Sequence, residues 1–255
     1  MVDYSRSQDY TLSIRLSTDG FCFLVYDPRR ADAYAFVPYD PDPLLPVPAN
    51  LKRALASEPI LQHRYGRTVV LLADEPCSLV PSEFADAADE PVSNHQSLHF
   101  APSPALHFAP SPALRRTLAS LLPEAEVHHS LQPVLRWLLA TRPGRQLFCY
   151  LHEKKMDIVA TGDDGEPLLA TTFDYRNSAD TAYYLLGTWQ TLGFSQEDDR
   201  LVVAGRKVSR ELLAELQRFV AHVERLDAAA AFHACELART DSLTLDLQAL
   251  TETGV

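Results

Sequence analysis

Glycine is scarce in this chain: nine residues of 255, with no two adjacent. Tight backbone cradles around phosphate depend on glycine, because a missing Cβ lets main-chain N–H groups close on an anion. Neither a GxxxxGK[ST] loop nor a GxGxxG turn occurs, and a GxSxG nucleophile elbow is missing as well. The four cysteines, Cys22, Cys77, Cys149 and Cys235, lie far apart and form no CxxC pair. That spacing argues against a zinc framework or a disulfide scaffold and reads as small buried hydrophobes. No apolar run approaches the ~20 residues that a membrane-spanning helix needs. Residues 1–9 are polar, without the apolar core of a secretion signal. The expectation is a cytoplasmic location with no membrane insertion. Positive charge is short too: 23 Lys and Arg stand against 34 Asp and Glu, for a formal net charge of −11. Such a balance opposes broad attraction to nucleic acid or anionic lipid, which rests on basic patches.

What is present is a pattern that occurs twice. In the first half, Leu12, Ile14 and Leu16 alternate with Thr11, Ser13, Arg15 and Ser17, the period of a half-buried strand with one polar face. Asp19-Gly20 then turns the chain into the apolar run Phe21 to Asp27, a hairpin signal. A third run covers Ala33 to Val37, and five prolines make Pro38 to Pro48 a stiff connector. Asn50 is expected to cap a helix over Leu51 to Ser57, followed by a strand at Thr68 to Ala73 and a short helix from Pro81 to Phe84. The second half repeats the order. Strands are expected at Gln146 to Leu151, Lys155 to Thr161 and Leu168 to Phe173, then a helix capped by Asn177 or Ser178, then a strand at Leu201 to Ala204. A long amphipathic helix is expected from Ser209, with Leu212, Leu216, Phe219, Val223 and Leu226 on its apolar stripe. Phe232 to Leu237 reads as a strand, and Leu243 to Leu250 as a closing helix or strand. The boundary between the halves is placed in the Thr141 to Gly144 linker, giving units 1–143 and 144–255.

Between the halves the octapeptide Leu98–Ala105 is followed at once by an identical copy, Leu106–Ala113. Eight Pro-rich residues are too few for a solenoid unit. The expectation is one native copy plus a surface insertion, so that deleting Leu106 to Ala113 leaves the fold intact. Helices at Ala113 to Leu122 and Leu131 to Ala140, and a strand at Glu126 to His129, complete this region.

Three hairpin-linked strands followed by alternating helix and strand resemble the ribonuclease-H-like unit, and two such β-β-β-α-β-α units in tandem resemble the actin-like ATPase architecture. The opening Tyr10-Thr-Leu-Ser-Ile-Arg-Leu-Ser-Thr-Asp-Gly-Phe21 is similar to the start of a bacterial family of unknown function with that fold. Leu79-Val-Pro81 and Thr171-Thr-Phe-Asp174 extend the likeness over nearly the full chain. The resemblance implies an α/β protein of two lobes with a cleft. It implies a function less firmly, because one fold hosts many activities.

The resemblance also implies where to look for chemistry. In active members of that architecture, hairpins from both halves meet the nucleotide phosphates. Here Asp19-Gly20 in the first hairpin and Lys154-Lys155 in the second are the candidate cleft or ligand-binding residues. The second hairpin, His152 to Asp157, contains no glycine. The first strand offers no carboxylate for the two-metal chemistry of ribonuclease-H-like nucleases. The histidines His95, His99, His107, His128 and His129 lack the spacing of a zinc site and read as structural. Cys149 and His152, three apart on one strand, point to opposite faces. No catalytic or metal-ligating residue is assigned, and ATP and Mg²⁺ are not supported as cofactors. The function expected is a non-catalytic actin-like scaffold that binds another protein. The alternatives are a divergent nucleotide-binding ATPase or kinase, or a small-molecule sensor using the cleft.

Overall fold

Two three-stranded meanders seed two sheets. The computed structural model describes residues 2–18, 20–80, 96–99, 105–152, 154–206, 208–232 and 243–254. In chain order the elements are β1 (Thr11–Leu16), β2 (Phe21–Asp27), β3 (Arg30–Tyr39), α1 (Val47–Ser57), β4 (Arg67–Leu72), β5 (Cys77–Val80), β6 (Gln96–His99), β7 (Ala105–Phe108), α2 (Pro112–Leu121), β8 (Glu126–His129) and α3 (Leu131–Thr141). They continue as β9 (Gln146–His152), β10 (Lys155–Thr161), β11 (Pro167–Asp174), α4 (Ser178–Thr191), β12 (Arg200–Gly205), α5 (Arg210–Leu216), β13 (His222–Arg225), α6 (Ala228–Ala231) and α7 (Leu245–Thr253).

The first sheet has the order β3-β2-β1-β4-β8, and the second begins β13-β12-β9-β10-β11. Read from the hairpin outward, the two are the same design. Each has an antiparallel meander whose first strand is flanked on its other side by two parallel strands. The duplication read from the order of elements is therefore present in the pairing. The second sheet also recruits β5, β7 and β6 from earlier in the chain, joined to β11 at Thr171 opposite Ser78.

Alternation sets the layers. Leu12, Ile14 and Leu16 of β1 share one apolar cluster with Leu51 and Ala54 of α1 and Leu114 and Leu118 of α2. The opposite face of the first sheet presents Leu24, Tyr26, Val69 and Leu71 to Leu247 and Leu250 of α7. In the second sheet Cys149, Ile158 and Val203 pack under α4 and α5. Phe148, Tyr150 and Val202 face the other way, into the cluster that holds α3. Helices α3 and α7 pack against each other between the two halves.

Four local expectations change. Strand β1 is buried on both faces, not half-buried, because α7 covers its polar side. Asn50 does not cap α1, which starts three residues earlier at Val47 with Pro48 in its first turn, where a missing N–H is harmless. Asn50 instead fastens the Pro-rich connector: its amide donates to the carbonyls of Asp42 at 2.9 Å and Leu45 at 3.0 Å. The long helix expected from Ser209 ends at Leu216, and His222–Arg225 forms a strand parallel to β12. Apolar spacing at Val223 and Leu226 fits a helix alone, but pairing against an existing strand edge wins. Phe219, placed on the stripe, is 44% exposed.

The fourth change concerns the repeat. The second octapeptide is not a surface insertion. Leu106 and Phe108 are buried, and the side chain of Ser111 accepts from the Leu114 N–H at 3.3 Å to cap α2. Leu98 and His99 of the first copy lie in β6, whose backbone pairs with β7. The ambiguous Leu243 to Leu250 segment is a helix, closed by Gly254 in the left-handed region. The expected helix at 81–84 and, past Phe232, the expected strand to 237 lie outside the described residues.

Candidate functional site

The carboxyl ends of β1, β9, β12 and β13 converge on one cavity of about 720 Å³ between the two sheets. Crevices outside the carboxyl ends of parallel strands are where open α/β sheets bind ligands. Arg15, Gly20 and Phe21 line it from the first sheet, Tyr150 and His152 from β9, and Arg206 and Arg225 from just past β12 and from the end of β13. Leu243 and Gln248 close it from the α7 side. Gly205 sets the approach of β12 to β9 at the rim. Its φ is +116°, and a Cβ there would lie 2.1 Å from the Leu151 carbonyl oxygen.

The floor is a buried ion pair. Arg15 Nε donates to Asp246 Oδ2 at 2.6 Å, with side-chain exposures of 5% and 0%. Burial opposes the arginine's charge, and Asp246 outweighs it, so the guanidinium is held more firmly protonated than usual. The Leu247 N–H donates to the other oxygen of Asp246 at 2.9 Å. Tyr150 lies beside the pair, hydrogen-bonded to the Leu245 backbone, and burial pushes its hydroxyl pKa up. One cluster thus ties β1, α7 and β9 together.

A second buried cluster sits along the same face of the second sheet. His152 Nε2 lies 3.0 Å from Asp157 Oδ2, and Thr172 donates to Asp157 Oδ1 at 2.6 Å. Burial alone would raise the Asp157 carboxyl. The neighbouring His152 charge and the hydrogen bonds overcome it and hold the carboxyl below its usual range. The Cys77 sulfur meets Thr172 at 3.3 Å. His129, at the end of β8, accepts from the Leu131 N–H through Nδ1 at 3.0 Å, which leaves Nε2–H to donate to the Glu75 carbonyl at 2.8 Å. That pattern fixes a neutral imidazole, and burial pushes its pKa down. Cys149 belongs to the apolar cluster on the other face of the sheet from His152.

Of the four site residues expected from the sequence, Gly20 lines the cavity. Asp19 lies outside the described residues. Lys154 is exposed at the β9–β10 turn, and Lys155 pairs with Asp174 at 2.8 Å; neither lines the cavity. Sequence reasoning missed Arg15 and Asp246 as partners. In the sequence Arg15 shares a polar face with Thr11, Ser13 and Ser17, and only the packing of α7 over that face buries the charge and so requires a counter-charge.

The cavity lining carries the carboxylates of Asp40 and Asp227 beside Arg206 and Arg225. His152 pairs directly with Lys155, so the β9–β10 connection is two residues long and offers no glycine cradle. Both fully buried carboxylates next to the cavity are committed to protein partners, Asp246 to Arg15 and Asp157 to His152 and Thr172.

Taken together, the repeated five-strand order, the intervening helices and the cleft define an actin-like ATPase fold. The chain belongs to the family described as "Protein of unknown function (DUF3822)", which matches residues 2–223. A Bacteroides thetaiotaomicron protein with an actin-like ATPase fold and unknown function is similar over 99% of both chains, at 26% identity and a TM-score of 0.80. A chain of the PilM–PilN type IV pilus biogenesis complex aligns over 96% of this chain and 98% of its own, at 11% identity and a TM-score of 0.60. Among curated proteins, none matches the chain. No helix among the described residues is long and apolar enough to cross a membrane.

Proposed function

We propose that the protein is a non-catalytic actin-like module, with units 1–143 and 144–255, that binds a protein partner and does not turn over ATP. The observation that carries this is the Arg15–Asp246 pair at 2.6 Å. Phosphoryl-transfer sites bring carboxylates and a metal ion to the phosphates. Here the cleft floor places a cation on the first strand and satisfies it internally, at the expense of a carboxylate. The net charge of −11 suits a protein partner better than a nucleic acid. PilM, which shares the fold, occurs in a complex with PilN; it is a precedent for such a body carrying a protein partner and no more.

One observation favours a second reading. Arg206 and Arg225 line the cavity while the chain as a whole is acidic. Asp246 neutralises Arg15, and Asp40 and Asp227 line the same cavity, so a small anionic ligand held without turnover would bind at these two arginines themselves. Thermal melting separates the two. A ligand specific for the folded state at a hundredfold excess over its Kd adds about 2.7 kcal/mol of stability, several degrees for a chain of this size. Millimolar Mg·ATP is expected to leave the melting point unchanged and to yield no phosphate. A rise that disappears in Arg206→Glu/Arg225→Glu favours the ligand site. ATP hydrolysis at any appreciable rate rejects the non-catalytic assignment.

A further inference from the structure

The second octapeptide fills two structural positions. Its leucine and phenylalanine, Leu106 and Phe108, are buried in the core, and β7 pairs with β5 with Leu79 opposite Leu106. Its serine, Ser111, caps α2. Leu98 and His99 of the first octapeptide lie in the neighbouring strand β6, with Leu98 opposite Leu106. Register in a sheet is normally specified by which side chains suit the core face. Here that information is degenerate. Leu98-His99-Phe100 is the same tripeptide as Leu106-His107-Phe108. A slip by one repeat therefore offers β5 the same Leu-His-Phe tripeptide, with Ser97 in place of Ala105 opposite Val80, and an even-numbered slip keeps the same side chains facing the core.

We propose that the two copies exchange in the strand position beside β5, so that the chain has two registers. In one, Leu106 to Phe108 of the second copy pair with β5 and Leu98 and His99 of the first lie in β6. In the other, the first copy pairs with β5, the outer strand is absent, and Ser111 still caps α2. The connection from strand to helix then grows from Ala109-Pro110 to residues 101–110. Loop-closure entropy rises only with the logarithm of length, so the longer connection opposes exchange weakly. What distinguishes the registers is the short β6–β7 pairing, present in one and lost in the other. Exchange adds or removes the outermost strand of the second sheet, and with it the backbone edge that a neighbouring chain can pair with. It does not depend on what the cleft binds.

Charged substitutions test this. Leu106→Glu puts a carboxylate into the buried position. With exchange, the first copy replaces the second, and Leu106→Glu melts within a few degrees of the parent, as does Leu98→Glu. The double variant Leu98→Glu/Leu106→Glu has no intact copy and loses its cooperative transition. If Leu106→Glu melts as low as the double variant, or if the double variant melts like the parent, the exchange is rejected. Deleting Leu106–Ala113 gives the same sequence as deleting Leu98–Ala105. This single-copy chain is expected to fold, and its Leu98→Glu variant to fail. A single-copy chain that does not fold shows that the outer strand is indispensable, which also rejects the proposal.

Discussion

Arg15 occupies a strand whose other side chains are apolar or small, and it reaches its counter-charge 231 residues later in α7. A buried ion pair contributes little net stability compared with a well-packed apolar pair, but removing one partner strands the other charge. Asp246→Ala is therefore expected to cost about 3–5 kcal/mol. Arg15→Met/Asp246→Leu should recover most of that loss, as read from denaturant midpoints. A double variant as unstable as Asp246→Ala would mean that the pair also holds geometry that apolar packing cannot replace. His129 supplies a pH dependence of known sign. It is neutral and buried, with Asp157, His152 and Asp246 among the charges acting on it, and its pKa lies below the ordinary histidine value. The unfolded chain thus binds a proton at a pH where the folded chain does not. Its contribution is complete above about pH 6.5 and is lost as pH falls through the depressed value. Partly buried His128 is shifted the same way and adds to the effect. Asp157, held low, loses its contribution only as pH falls below the ordinary carboxylate range near 3.8. Urea midpoints should fall between about pH 7.5 and about pH 5.5, and less steeply in His129→Gln; a flat profile would show that the imidazole gains its proton without opening the fold.

At the scale of elements, Gly205 makes the sharpest prediction. Its left-handed φ and its approach to the Leu151 carbonyl leave no room for a side chain where β12 meets β9. Gly205→Ala should destabilise the second sheet by about 1–3 kcal/mol from backbone strain alone, with more from the clash, measurable as earlier exchange of the β12 amides. The meanders, the helix at Ser178–Thr191 and the two-unit order were legible in the sequence because period-two alternation and capping residues are local signals. Three things were not. Residues His222–Arg225 look like a continuation of a helical stripe, and only the edge of β12 makes them a strand. Ser13 and Arg15 look solvent-facing until α7 covers them. Which of the two identical octapeptides is packed into the core is not written in either, because identity says nothing about burial. The site divided the same way: Gly20 was visible as a turn next to the cleft, whereas the Arg15–Asp246 partnership is a fact of tertiary structure.

At the scale of the whole molecule, the two sheets are bound through α3 and α7, which lie side by side, and through the cluster that joins Arg15, Asp246 and Tyr150. Relative motion of the lobes would have to work against this buried polar tie. The placement of α7 also constrains how the protein is made. Synthesis proceeds from the N-terminus at roughly 5–20 residues per second. For the roughly ten seconds or more that this implies, β1 waits on the ribosome with an uncovered arginine and with Leu24, Val69 and Leu71 of the first sheet bare. Newborn chains are therefore most exposed to chaperones and proteases in the interval before Asp246 emerges, and premature release within it would leave a lobe with nothing to cover its inner face.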